Sequence, residues 1–209
     1  MTDHNLLIEK LSQSAQPVKR PQATGRRVLA WLAGALPCGV VASFLVQRSL
    51  TDWSQPGAHW AMLQLALAFV LGTLAIRSAF NMSIAGRHSI SWKALLPLGL
   101  LWLVLSILNI PRVEPPLHVG DGTNCYTFLL VVSTPMMVMM IASLRRTRAL
   151  YPVRSLAMAG FGVACMAVTL LAFCHPVHLH KEDFMMHLAA IVTIVALTVL
   201  LGKRWVAIT

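Results

Sequence analysis

Cys125 and Cys174 are the residues of this chain whose type and placement best suit redox or metal chemistry. Each stands at the end of a long apolar run, where a thiol can pair with another thiol or bind a soft metal ion. Cys174 also opens a segment dense in ligands. It is followed by His175, His178, His180, Lys181, Glu182 and Asp183, then by Met185, Met186 and His187. Thiolate, imidazole, carboxylate and thioether together suit copper or zinc. If a helix starts near Lys181, Asp183 and His187 stand one turn apart on the same face, and Cys174 with His178 or His180 closes a site. The candidate metal ligands are therefore Cys125, Cys174, His175, His178, His180 and His187, with Cys125 and Cys174 also a candidate redox pair. No Cys-x-x-Cys spacing is present. The same histidines could instead report pH through protonation.

The elements that must position these groups are read from hydropathy. Hydrophobic residues make up 57% of the chain and charged residues 11%. The apolar residues gather into six runs, at 28–47, 60–80, 92–110, 125–144, 154–174 and 184–202, each near the roughly 20 residues a helix needs to span a bilayer. Between them lie breakers such as Gln55-Pro56-Gly57, Pro115-Pro116 and Tyr151-Pro152. The expectation is an all-α polytopic membrane protein with six transmembrane helices, divided into a segment 1–27 and a transmembrane domain 28–209. The polar stretch 1–27 is too long for the charged head of a cleaved signal peptide.

Lysine and arginine set the orientation, because they are retained on the cytoplasmic side. With the amino terminus inside, Arg48, Arg112 and Lys181 are the outward exceptions among 17 basic residues, and both termini are cytoplasmic. The net charge of +10 then reflects this asymmetry and attraction to anionic lipid, so no direct nucleic-acid binding is expected. The same arrangement places Cys125, Cys174 and the histidines His59, His118, His175, His178, His180 and His187 outside. A disulfide between the two cysteines requires Cα atoms within about 7 Å. The short connection after the fourth run favours a helical hairpin that brings their ends level.

The remaining features have plainer expectations. Cys38 and Cys165 lie mid-run, where thiols act as small buried hydrophobes, and Met136, Met137, Met139 and Met140 read as core filling. Pro135 is a candidate kink, and Ala159, Gly160, Gly162 and Ala164 form a small-residue patch for close helix packing. No nucleotide loop, zinc-protease motif or intramembrane carboxylate stands in the sequence, so no enzyme is expected and no cofactor is obligatory; a regulatory copper or zinc ion is the implied ligand.

Residues 5–15 read as a short amphipathic helix, with Leu7, Leu11 and Ile8 or Ala15 on one stripe, Asp3 capping its start and Pro17 marking its end. Such a length is marginal alone, so the helix orders against a protein partner or against lipid, the latter aided by Lys19, Arg20, Arg26 and Arg27.

The Leu6-Leu7-Ile8-Glu9-Lys10-Leu11 opening, the Pro17-Val18-Lys19-Arg20 tail, the six runs and the two outer cysteines together resemble the NrsF family of bacterial inner-membrane anti-sigma factors. The resemblance implies that the cytoplasmic segment, through Leu6, Leu7, Ile8, Leu11, Lys19 and Arg20, sequesters an extracytoplasmic-function sigma factor. It also implies that Cys125 and Cys174 match the pair with which the family responds to metal or oxidative stress. The histidine-rich segment after Cys174 leans the implied signal towards metal. Two alternatives use the same outer groups: a metal-handling transporter, and a periplasm-facing thiol-disulfide oxidoreductase, which would ordinarily carry two cysteine pairs.

Overall fold

A helix satisfies every backbone N–H and C=O within its own segment, which suits long apolar runs that offer no polar side chains to do so. The computed structural model describes residues 2–14, 22–47, 50–84, 86–110, 121–147, 151–175, 177 and 181–206. Among them are seven helices and no strand: α1 (Thr2–Ser14), α2 (Thr24–Ser43), α3 (Ala58–Met82), α4 (Trp92–Leu108), α5 (Asp121–Arg145), α6 (Pro152–Leu171) and α7 (Lys181–Val206). Four of these contain stretches long and apolar enough to cross a membrane: Ala58–Met82, Cys125–Arg145, Pro152–Leu171 and Lys181–Val206. The other two expected spans are α2, of 20 residues with Arg26 and Arg27 in its first turn, and α4, which is apolar but has 17 residues.

Local chemistry sets several helix ends. Ser91 caps α4 by accepting a hydrogen bond from the Lys93 amide at 3.3 Å. Pro152 occupies the first turn of α6, where its missing N–H costs nothing. Gly57, at φ 92°, turns the chain into α3 through a left-handed conformation that side chains disfavour. Glu182 and Asp183 lie in the first turn of α7 and Lys203 and Arg204 in its last, each sign matching the helix dipole.

Three expectations are corrected. The helix holding the fifth apolar run ends at Leu171, so Cys174 lies beyond it. There the amides of Phe173 and Cys174 bond to the carbonyls of Leu170 and Leu171, three residues back, a tightening that ends the α-helix although the residues stay apolar. α1 begins at Thr2, so Asp3 lies within it rather than capping it. Cys38 is exposed on the outer face of α2, beside Pro37 and Val41, instead of being packed in the core.

α6 is the central helix, packing against α2, α3, α5 and α7, while α5 also packs against α2 and α7. The core joins Trp31, Ile76, Phe80, Leu129, Val132, Leu156 and Ile194 to Met136 and Met140, both fully buried. The small residues of α6 serve two neighbours. A Cβ on Gly162 would stand 2.6 Å from Ile76 Cγ1 and 3.1 Å from the Gly72 carbonyl of α3, while one on Gly160 would stand 2.9 Å from the Val195 Cα of α7. Backbone on the far side cannot retreat as a side chain can. Gly162→Ala should therefore destabilise the bundle by about 1–3 kcal/mol, the usual cost of overpacking. Thermal unfolding in detergent reads this as a lowered midpoint, and an unchanged midpoint would refute the close α3–α6 approach.

Candidate functional site

The two ends of the bundle differ in chemistry. At one end, Arg27 lies over the Phe80 ring, 4.4 Å from its centroid, and donates to Ser83 at 3.5 Å and to Thr147 at 3.4 Å. Arg87 donates to Thr24, and Arg145 lies over Trp205. At the opposite end, the start of α5, the connection from α6 to α7 and the first turns of α7 gather a thiol, two imidazoles and a carboxylate.

α5 supplies Cys125 and α7 supplies Asp183 and His187, four residues apart on one face as helical periodicity requires. His175, just past α6, completes the group. All four residues are buried, with Cys125 and His175 8% exposed and Asp183 and His187 5%. Donor atoms of Cys125, His175 and His187 lie within 4.8 Å of one another. The Cys125 thiol donates to Asp183 Oδ1 at 4.0 Å, a long sulfur hydrogen bond. His175 Nε2 lies 3.5 Å from Asp183 Oδ2, and the two imidazoles meet edge to face with centroids 5.4 Å apart. Asp183 thus faces both the thiol and an imidazole. His187 Nε2 is buried without a hydrogen-bond partner among the described residues, a condition that costs about 1–3 kcal/mol.

Supporting contacts fix the segment that follows α6. The Thr51 hydroxyl lies 2.8 Å from the Ala172 carbonyl and 2.7 Å from the His175 carbonyl, and accepts from the His175 amide at 3.1 Å. The Thr51 amide donates to the Phe173 carbonyl at 3.1 Å, and Trp53 meets the Phe173 ring edge on, 6.0 Å away. The loop carrying Thr51 is itself turned by Asp52, whose carboxylate accepts from the Ser54 amide at 3.0 Å and from its hydroxyl at 2.6 Å. Those hydrogen bonds hold the exposed Asp52 carboxyl below its ordinary pKa. From the end of α4, Asn109 donates to the Val177 carbonyl at 3.4 Å. Tyr126 and Thr193 share a hydrogen bond of 3.1 Å that ties α5 to α7 within two turns of the cluster. A cavity of about 70 Å³ opens against His175 and His187, lined also by Thr51, Gln64, Trp102 and Ser106.

Of the candidate ligands, the structure brings Cys125, His175 and His187 together. Cys174 is half-buried, packs against the hydrophobic core and is not part of that donor group. The four cysteines, Cys38, Cys125, Cys165 and Cys174, form no disulfide. His178 and His180 lie outside the described residues, as do Lys19 and Arg20. The α1 stripe is open, with Leu6 65%, Leu7 56%, Ile8 63% and Leu11 60% exposed. Thr51 carried no signal in the sequence, being a single threonine in a loop.

The family model described as NrsF, negative regulator of sigma F, matches residues 11–207, nearly the whole chain. No curated protein and no solved structure matches the chain.

Proposed function

We propose, from the premise that this chain belongs to the NrsF family of negative regulators of sigma F, that it is an anti-sigma factor of the bacterial inner membrane. It holds an extracytoplasmic-function sigma factor through its amino-terminal segment and releases it when outward-facing groups sense metal or oxidative stress. In this reading α2 and α4 cross the bilayer with α3, α5, α6 and α7, giving six spans and cytoplasmic termini. The Cys125 end then faces the periplasm, and the Arg27 end faces the cytoplasm, where basic residues are retained.

The family match across residues 11–207 carries the proposal. Leu6, Leu7 and Ile8 precede the matched segment, so their part is supported by exposure: with Leu11 they stand open on a helix of 13 residues. A helix that short is marginal by itself, and a groove on a partner would both order it and cover its stripe. Lys19 and Arg20, on the tail that follows, add charge for an acidic partner surface. Cys125, Cys174 and the neighbouring histidines are the sensing groups, and the tilt or packing of α5 and α6 carries their state to the cytoplasmic face.

Affinity purification of the intact, tagged protein in mild detergent from unstressed cells checks the class. A sigma factor should co-purify in near-stoichiometric amount and be lost after stress. Purification without any sigma factor, from cells that express one, would refute sequestration.

A further inference from the structure

We infer that Cys125, His175 and His187, with Asp183 beside them, form a binding site for one zinc-type divalent cation. This deepens the metal-responsive part of the reading above. It rests on that reading for its consequence in the cell, whereas binding itself is a property of the isolated chain.

Three observations converge. The donors come from three separate segments, α5, the α6–α7 connection and α7, yet lie within 4.8 Å of one another. A tetrahedral ion with bonds of about 2.0–2.3 Å sets its donors roughly 3.4 Å apart, so closing the group takes side-chain movements on the order of 1 Å. His187 Nε2 is buried and unpartnered among the described residues, on a side chain 5% exposed. A metal bond is what such a nitrogen can make without a second hydrogen-bonding residue.

Charge is the third. A divalent cation with the Cys125 thiolate and the Asp183 carboxylate sums to zero, which removes most of the cost of burying any one of them. In the metal-free protein, Asp183 accepts from the Cys125 thiol and faces His175. On binding, the thiol proton leaves to solvent, the cation takes its place, and affinity rises with pH. One thiolate and two imidazoles favour zinc over calcium or magnesium, which seek oxygen donors. The cavity of about 70 Å³ against both histidines has room for water as a fourth ligand. The bound ion would link α5, α7 and the segment between α6 and α7, a cross-link distinct from any Cys125–Cys174 bond.

Cobalt(II) titration of the intact chain, purified reduced and metal-free in detergent, tests the site. One equivalent should give the intense visible bands of a tetrahedral ion and a near-ultraviolet thiolate-to-cobalt band, both displaced by Zn²⁺. Cys125→Ser should lose the near-ultraviolet band, and His187→Asn should weaken binding by about 100-fold or more. Asp183→Asn should weaken it by about 10–100-fold, as loss of an outer partner does. Cys174→Ser should bind as the parent does. Metal-free thermal unfolding identifies any variant that has lost its fold; should His187→Asn be one, the Cys125→Ser spectrum decides. Absence of stoichiometric binding, a thiolate band that survives Cys125→Ser, or one that vanishes in Cys174→Ser would overturn the site. A protein that binds cobalt as expected but retains no sigma factor leaves the site standing and sinks the anti-sigma reading instead.

Discussion

Deleting residues 1–15 should leave the sigma regulon fully expressed without stress, while the remaining chain still accumulates in the membrane. The segment removed contributes little to the bundle: every α1 residue whose side chain is described, His4 to Ser14, is exposed, so its loss opens no cavity in the core. What it would contribute is binding. A large apolar side chain moved from water into a groove gives about 1.5–3 kcal/mol, and every 1.4 kcal/mol is tenfold in affinity. Losing two of Leu6, Leu7, Ile8 and Leu11 should thus weaken the complex by about 100-fold or more, even after some of each side chain stays exposed. Leu7→Asp with Leu11→Asp should reproduce the deletion with the backbone intact, since these two stand one turn apart on the stripe. Transcription from a sigma-dependent promoter, with membrane levels of each variant measured in parallel, is the check. Continued repression by the truncated protein would show that the sigma factor is held elsewhere.

The legible part of this architecture is the part that hydropathy encodes. α4 begins at Trp92, where its apolar run does, and α3 and α7 extend their runs by only a few residues at each end. α6 is where the signal misleads. Ala172, Phe173 and Cys174 are as apolar as the helix before them, but Phe173 turns out to meet Trp53 and the chain tightens, a tertiary event no local pattern carries. Cys38 shows the same limit, because a thiol in a run that is hydrophobic all round looks alike whether it faces outward or into the core. In the site, the Asp183–His187 spacing was readable as helical periodicity. The meeting of that pair with Cys125 and His175 was not, since it depends on how α5 and α7 cross and on Thr51 pinning the α6–α7 connection from a distant loop.

Cys125 lies in the buried donor group and Cys174 does not, so their serine variants should separate. Cys125→Ser should abolish induction of the sigma regulon by zinc and by a thiol oxidant alike, because this sulfur belongs both to the buried donor group and to any pair formed with Cys174. Cys174→Ser should lose the oxidant response and keep the zinc response. His187→Asn should do the reverse, keeping a sulfur pair while removing a metal donor. The expected loss is complete, to within about twofold of the uninduced level. A cross-link between α5 and α7 shifts an equilibrium only by its differential affinity for the two arrangements, and a missing donor removes that difference. Transmission to the other end requires two discrete packings of the helices around α6, since cores packed this closely do not deform continuously. The glycine contacts at Gly72, Gly160 and Gly162 hold α6 close against α3 and α7, so such a rearrangement would have to break them. Reporter induction by each stimulus in the three variants, at matched protein levels, measures the separation directly. Parent-like induction of Cys125→Ser by both stimuli would remove sensing from this end of the bundle, and loss of both responses in all three variants would show that one shared site answers both signals.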